Sequence, residues 1–257
     1  MSSFGRVLCI ITGASKGFGR AIATDMARHV KPKSMFILVA RSEDELRNLQ
    51  SDLARSGMEA RSVVLDLSRK GSPEMVVRIA KDACPPDIEH VILFNNAGTL
   101  GDVSRLTRTF TSMAEVDSYL SFNVSSAFCL TAGVLQAFPR SSGVRRCVVN
   151  VSSLCALKPF PTWGLYCTGK AARDMMFKVL AEEEPDVRVL NYAPGPLNTD
   201  MQETIRTKTG DPQLRQQFLD MFEEGELLSV ERSCAKLMKL LKEDKYKSGE
   251  HIDYYDV

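Results

Sequence analysis

Val7-Leu8-Cys9-Ile10-Ile11-Thr12-Gly13-Ala14-Ser15-Lys16-Gly17-Phe18-Gly19 decides the fold. An apolar run of strand length turns through three glycines into a segment, 19–30, with helical spacing of its apolar residues. Glycines in such a turn let the backbone pass close to a pyrophosphate, whose charge is met by amides and by the positive end of the helix. A turn needed only for tight packing has the same sequence, so the motif takes its weight from what surrounds it.

Outward from it, strand-length apolar runs recur at 35–40, 60–65, 90–95, 146–151 and 187–193, most of them continuous rather than alternating. Continuous runs are what strands buried on both faces of a parallel sheet require. Between and after them, helical spacing covers 43–55, 73–83, 113–137, 165–183 and 230–243. The alternation predicts an α/β fold, a Rossmann-like doubly wound parallel sheet with helices on both faces. Ser42 with Glu45 reads as a capping box, and Ser72-Pro73-Glu74 as a second helix start of the same kind. Pro194-Gly195-Pro196 forces a turn, and the polar, helix-prone stretch 197–225 reads as a lid, with the substrate cover spanning about 195–228. No repeat or linker divides the chain, so 1–257 is expected to be one domain.

Bulk composition narrows the function. The 33 basic and 32 acidic side chains nearly cancel, and no global field draws the protein to nucleic acid or an anionic membrane. No uninterrupted apolar run reaches the ~18 residues of a membrane helix, and 1–5 carries no leader or cleavage pattern, so the expected location is the cytoplasm. The seven cysteines include no C-x-x-C pair and no histidine at ligand spacing, which predicts reduced thiols, mostly in the core, and no metal site. Two glycosylation sequons, at Asn123 and Asn150, have no consequence without export.

The glycine loop, Gly13, Ala14, Ser15, Lys16, Gly17, Phe18 and Gly19, is the expected cofactor cradle. The second strand ends in Ala40-Arg41-Ser42, where NAD binders place a carboxylate for the ribose hydroxyls. Arg41 with Lys16 suits a 2′-phosphate instead and points to NADP(H). Asp66 and Leu67 end the third run and Asn96 the fourth, on the same edge as the loop.

Tyr166 and Lys170 are four apart on a helix and so share a face. A phenol is a poor acid or base at neutral pH, and an adjacent ammonium is expected to lower its pKa so that it can exchange a proton with a carbonyl oxygen. Ser153, thirteen residues earlier at a strand end, can face it and hold that oxygen. Asn123 is an unfavourable residue for mid-helix, which suggests that its amide has a task such as holding a water in a proton relay.

Taken in order, Thr12-Gly13-x-x-x-Gly17-x-Gly19, Asn95-Asn96-Ala97-Gly98, Asn123, Ser153 and Tyr166-x-x-x-Lys170 resemble the short-chain dehydrogenases/reductases. The resemblance implies a catalytic set of Asn123, Ser153, Tyr166 and Lys170, with Lys170 also holding the nicotinamide ribose. Closer in, 153–157, 166–175, 191–201 and 247–251 resemble the sepiapterin reductase branch of that family across essentially the whole chain. That implies NADPH-dependent reduction of pterin side-chain carbonyls, sepiapterin and 6-pyruvoyl-tetrahydropterin, as the final step towards tetrahydrobiopterin, by a homodimer. Leu197, Asn198, Thr199, Asp200, Met201 and Gln202 would then close over the cofactor, with Ser153, Tyr166 and Gly195 at the substrate. Asp253 would anchor the pterin, whose ring N–H and exocyclic amine are two parallel donors that a carboxylate can accept. The rival readings are a broad-specificity NADPH carbonyl or diketone reductase and a non-catalytic NADPH-sensing protein.

Overall fold

The computed structural model describes residues 4–256. Residues 1–3 and 257, which the single-domain expectation and the reading of the N-terminus include, lie outside the described residues. Seven strands, β1 (Val7–Thr12), β2 (Met35–Ala40), β3 (Glu59–Val64), β4 (His90–Asn95), β5 (Arg145–Val151), β6 (Val187–Ala193) and β7 (His251–Asp253), form one sheet in the order β3-β2-β1-β4-β5-β6-β7. Every pairing is parallel. The helices are α1 (Gly17–Met26), α2 (Glu43–Arg55), α3 (Ser72–Ala83), α4 (Met113–Leu120), α5 (Ser126–Ala137), α6 (Gly164–Glu183), α7 (Asp200–Lys208), α8 (Pro212–Glu223) and α9 (Val230–Glu243).

Successive strand residues point to opposite faces, so each continuous apolar run feeds two cores. Cys9, Ile11, Phe36, Leu38 and Phe94 pack with Ile22 of α1, Leu46 and Leu49 of α2 and Leu237 of α9. Leu8, Ile10, Ile37, Val39 and Leu93 pack on the other face with Val76 of α3, Leu130 and Val134 of α5 and Phe177 of α6. At the edge, β3 alternates in burial instead. A third, smaller cluster, Leu100, Val103, Cys155, Trp163, Tyr166 and Leu214, lies under α7 and α8.

Several local expectations are corrected. Ser42 stands at the N-cap of α2, but its side chain makes no capping bond. At α3 the N-cap is Gly71, in the left-handed conformation that glycine adopts without strain. Ser72 falls one residue inside, and its hydroxyl donates to the Asp66 carbonyl at 2.8 Å. β7 went unread because three residues are too few to show a period.

The segment Met113–Ala137 is not one continuous α-helix: a π-turn, Ser121–Ser125, separates α4 from α5. Contrary to the expectation from uninterrupted runs, this segment is long and apolar enough by length and composition to cross a membrane, because its serines and threonines barely lower its mean hydropathy of 1.3. In the structure it is a layer of the fold, with Leu130 and Val134 in the core and Met113 and Phe128 exposed.

Candidate active site

Because all the strands are parallel, their carboxyl ends share one edge, and the candidate residues collect there. The loop after β1 is set by sterics. Gly13 and Gly17 have φ of 66° and 55°, and a Cβ on Gly19 would come within 2.2 Å of the Gly13 carbonyl oxygen. Asn96 holds this loop from β4: its Nδ2 donates to the carbonyls of Thr12 (2.8 Å) and Gly13 (3.2 Å). Thr12 reciprocates, its hydroxyl accepting the amides of Asn96 and Ala97, each at 3.0 Å. Asn96 thus shapes the cradle through its backbone.

Lys16 caps the entry to α1 by position only, without a side-chain bond, and the first turn of that helix carries no acidic residue. Ala14, Ser15 and Phe18 are buried in the loop. The Lys16 ammonium is exposed and paired with the Asp200 carboxylate at the start of α7, which raises its pKa. Arg41 and Ser42 are exposed at the end of β2, and Leu67 is buried. Asp66 is held below the usual carboxylate range by the Ser68 amide and hydroxyl, at 2.9 and 2.8 Å. Arg41 and Asp66 open, with Thr99, Tyr119 and Asn123, onto a cavity of about 300 Å³.

Asn123 sits in the π-turn. Its Oδ1 accepts the Thr99 amide at 2.8 Å, and its Nδ2 donates to the Tyr119 carbonyl at 3.0 Å and the Thr99 hydroxyl at 3.2 Å. The amide therefore fixes the loop after β4. Its backbone carbonyl accepts from Arg173 Nη1 at 3.4 Å. Burial of Asn123 and Asn150 also closes both sequons to a glycan.

Ser153 begins the turn Leu154–Ala156 after β5, its Oγ accepting the Cys155 amide at 3.2 Å. Tyr166, in the first turn of α6, is buried edge-on against Trp163, with ring centroids 5.8 Å apart. Lys170 lies one turn on, its Nζ 5.6 Å from the Tyr166 ring centroid and donating to the Val151 carbonyl at 2.7 Å. The electrostatics differ from the expected lowering of the phenol. Burial pushes Tyr166 well above its ordinary value, with a hydrogen bond to Ser153 and the charge of Arg173 opposing it only in part. Burial, and then the charge of Arg173, bring Lys170 down to about 7. The resting site holds a neutral phenol beside an ammonium that titrates near neutrality.

Arg173 escaped the sequence reading. It is buried, with Nε donating to Asn150 Oδ1 at 2.8 Å, Nη1 to the Ala97 carbonyl at 2.9 Å and Nη2 to the Asn95 carbonyl. Beneath it runs a polar row across the sheet, Asn95, Asn150, Asn191 and His251, in register on adjacent strands. Asn150 Nδ2 donates to Asn191 Oδ1 at 2.8 Å, and Asp174 accepts from both Asn150 and Ser152 and meets His251 Nδ1. The visible signal was an asparagine at the same point of three apolar strands.

β7 brings the C-terminal tail back to the edge, with Asp253 beside Ala193 in register. Its Oδ1 accepts the Tyr255 amide at 3.1 Å, a short turn that fixes the carboxylate. Gly195 is in the left-handed region at φ 76°, and a Cβ there would meet Leu228 at 2.8 Å and Tyr254 at 3.5 Å. The lid is clamped at its base, where Asn198 and Leu228 amides donate to the carbonyls of Leu228 and Pro196, each at 2.9 Å. Leu197 and Thr199 are half-buried there. Met201 packs on the Trp163–Tyr166 cluster, whereas Gln202 is turned into the lid, donating to the Phe218 carbonyl at 3.1 Å. Phe218 of α8 stacks on Trp163, 5.5 Å between centroids.

Residues 8–210 match the family described as short chain dehydrogenase. The chain is 48% identical to the sepiapterin reductase of Xenopus laevis over 99% of its own length and 97% of that protein's. It is 29% identical to a benzil reductase, (S)-benzoin forming, of Bacillus cereus, covering 95% and 97% of the two chains. Among solved structures it resembles the KRED1-Pglu enzyme, with a TM-score of 0.81 at 27% identity over 96% of this chain and all of that one.

Proposed function

The chain belongs to the short-chain dehydrogenases, and from that premise we propose that it is an NADPH-dependent oxidoreductase that reduces the side-chain carbonyl of a pterin. Sepiapterin, giving dihydrobiopterin, and 6-pyruvoyl-tetrahydropterin, giving tetrahydrobiopterin, are its substrates in this reading. The observation that carries it is the buried Tyr166, with Lys170 Nζ 5.6 Å from its ring centroid, at the strand edge where Ser153 opens the turn after β5.

The loop after β1 fits a dinucleotide: α1 begins with no capping side chain and no acid in its first turn, and the glycines leave backbone where side chains would stand. Such a terminus receives a phosphate readily. Lys16 and Arg41 would hold a 2′-phosphate, Lys16 exchanging Asp200 for it, and Asp66 the far end of the nucleotide. Residues 197–202 would cover the nicotinamide and Lys170 its ribose. The bound nicotinamide supplies the hydride.

The remaining work belongs to the chain. Ser153 holds the carbonyl oxygen and Tyr166 gives it a proton, which a phenol that keeps its proton at neutral pH can do. The Lys170 ammonium stabilises the phenolate left behind. Asn123 and Arg173 position this set by fixing the backbone on either side of it. Asp253 receives the pterin edge at the mouth between β6 and β7.

A second reading, a broad carbonyl or diketone reductase, is favoured by the similarity to benzil reductase. Asp253→Asn separates the two. The pterin reading expects kcat/KM for sepiapterin to fall about 10- to 100-fold, the loss of a charge-assisted pair, while reduction of a small diketone is spared. Equal effects on both substrates would remove the pterin anchor.

Assembly and location are part of the same proposal. Met113 and Phe128 on the α4–α5 segment and Met175 and Val179 on α6 leave an exposed apolar surface, and a second copy of the chain is the partner that would cover it. Seven free thiols suit the reducing cytoplasm.

A further inference from the structure

Two thiols flank the catalytic pair, and the proposed reduction uses neither. Cys155 follows Ser153 by two residues and donates its amide to that serine's oxygen. Cys167 follows Tyr166 directly on α6, and its thiol reaches the carbonyl of Lys158, 3.9 Å away, just past the turn that contains Cys155. The turn is tied to Lys158 in turn, whose amide donates to the Leu154 carbonyl at 2.9 Å. Cys155 is buried among Trp163, Tyr166 and Leu214, and Cys167 packs half-buried against the same cluster.

Packing on this one cluster sets the two thiols within range of each other. That proximity is the largest influence on both, drawing Cys167 below its ordinary value and pushing Cys155 far up. The other cysteines lack this combination. Cys9 and Cys147 are neighbours sealed in the core, where burial pushes both thiols up, Cys84 and the buried Cys234 are likewise raised by burial, and Cys129 is exposed with no cysteine partner described beside it. A reactive thiol needs both thiolate character and access, and a resolving sulfur beside it makes its oxidation reversible.

We propose that Cys155 and Cys167 form a redox-sensitive pair, closed to a disulfide by a hydroperoxide, which reversibly disarms Ser153 and Tyr166. The Cys167 thiolate attacks the peroxide and the O–O bond breaks. Cys167 becomes a sulfenic acid, and the departing oxygen takes a proton to leave as an alcohol, or as water from hydrogen peroxide. The Cys155 sulfur then attacks the Cys167 sulfur, forming the S–S bond as the S–O bond breaks, and the oxygen leaves as water with the Cys155 proton. Two thiols and one hydroperoxide thus give one disulfide, one alcohol and one water. A dithiol reverses the bond.

The bond would draw the Leu154–Ala156 turn onto α6 and move the amide that holds Ser153. Misplacement of a catalytic group by about 1 Å costs on the order of 10²-fold in rate. The loss of activity rests on the reductase reading; the disulfide does not.

The test treats the purified protein with hydrogen peroxide, alkylates the remaining thiols after unfolding, and follows both the tryptic peptide 147–170, which carries both cysteines and Cys147 as an internal control that should stay alkylated, and NADPH oxidation by sepiapterin. The expected result is a peptide lighter by two hydrogens, with fragment ions linking Cys155 to Cys167. Turnover falls about 10²-fold and returns with dithiothreitol. Cys167→Ser, a half-buried position that tolerates the change, keeps its starting activity and resists peroxide. Alkylation of both cysteines after treatment, with Cys129 oxidised instead, would overturn the pair, as would equal peroxide sensitivity of wild type and Cys167→Ser. A protein inactive towards sepiapterin before treatment would count against the reductase reading alone, since the peptide map decides the pair by itself.

Discussion

The two halves of the strand edge are built from different materials. On the side of β1, β2 and β4, the shape is held by neutral groups, Thr12 and Asn96 on glycine backbone, and the cations Lys16 and Arg41 stand exposed. On the side of β5, β6 and β7, the charges are inside: Lys170, Arg173 and Asp174 are all buried. An exposed cation recognises a ligand at little cost to folding. A buried one must be satisfied by the fold, and burial shifts its proton affinity. The first half therefore binds, and the second is tuned.

The sharpest break of this comparison is Tyr166→Phe, which removes the proton donor from the tuned half and leaves the binding half intact. Turnover is expected to fall ~10²- to 10⁴-fold with NADPH affinity unchanged by calorimetric titration; near-normal turnover in the variant would refute the assignment. Next comes Arg173→Met. Stripping a buried guanidinium from the carbonyls of Asn95 and Ala97 should cost roughly 3–5 kcal/mol in urea unfolding. Lys16→Ala, on an exposed pair, should cost no more than about 1 kcal/mol. Similar costs for the two would erase the distinction between the halves.

Arg41→Ala is expected to weaken NADPH about 10- to 100-fold while leaving NADH affinity in place, as loss of a charge-assisted phosphate contact would. Parallel weakening of both cofactors would mean that Arg41 does not read the phosphate. The mildest effect is in pH. Lys170, lowered to about 7 by burial and by Arg173, is cationic below that pH and neutral above it. Since the ammonium stabilises the phenolate, kcat/KM for reduction should decline about tenfold from pH 6 to pH 8. A flat profile over that range would sever Lys170 from the proton transfer.

The same division governs how much could be read from the sequence. The sheet was legible because strands buried on both faces must be continuously apolar, as Val7–Thr12 and Met35–Ala40 are. The glycine loop and the Tyr166–Lys170 spacing were legible because each depends on neighbours in the chain. What stayed hidden depends on register between distant strands. Asn95, Asn150, Asn191 and His251 become one row only when the sheet is assembled, and Arg173 finds its partners only through that row. Asn123 was marked as unusual for a helix, yet its partner Thr99 lies on a loop whose path no local rule gives. The raised phenol was hidden for a related reason: the spacing shows the ammonium beside it, whereas burial, which dominates, is a property of the whole packed cluster.

The reading of the molecule as an NADPH-dependent pterin reductase is tested most directly by mixing the purified protein with sepiapterin and following the near-ultraviolet absorbance of NADPH, with NADH and a small diketone run alongside. Rapid loss of NADPH with sepiapterin, and little with NADH, is the expected result. Oxidation of NADPH by the diketone but not by sepiapterin would contradict the account, leaving a carbonyl reductase of the same fold without the pterin.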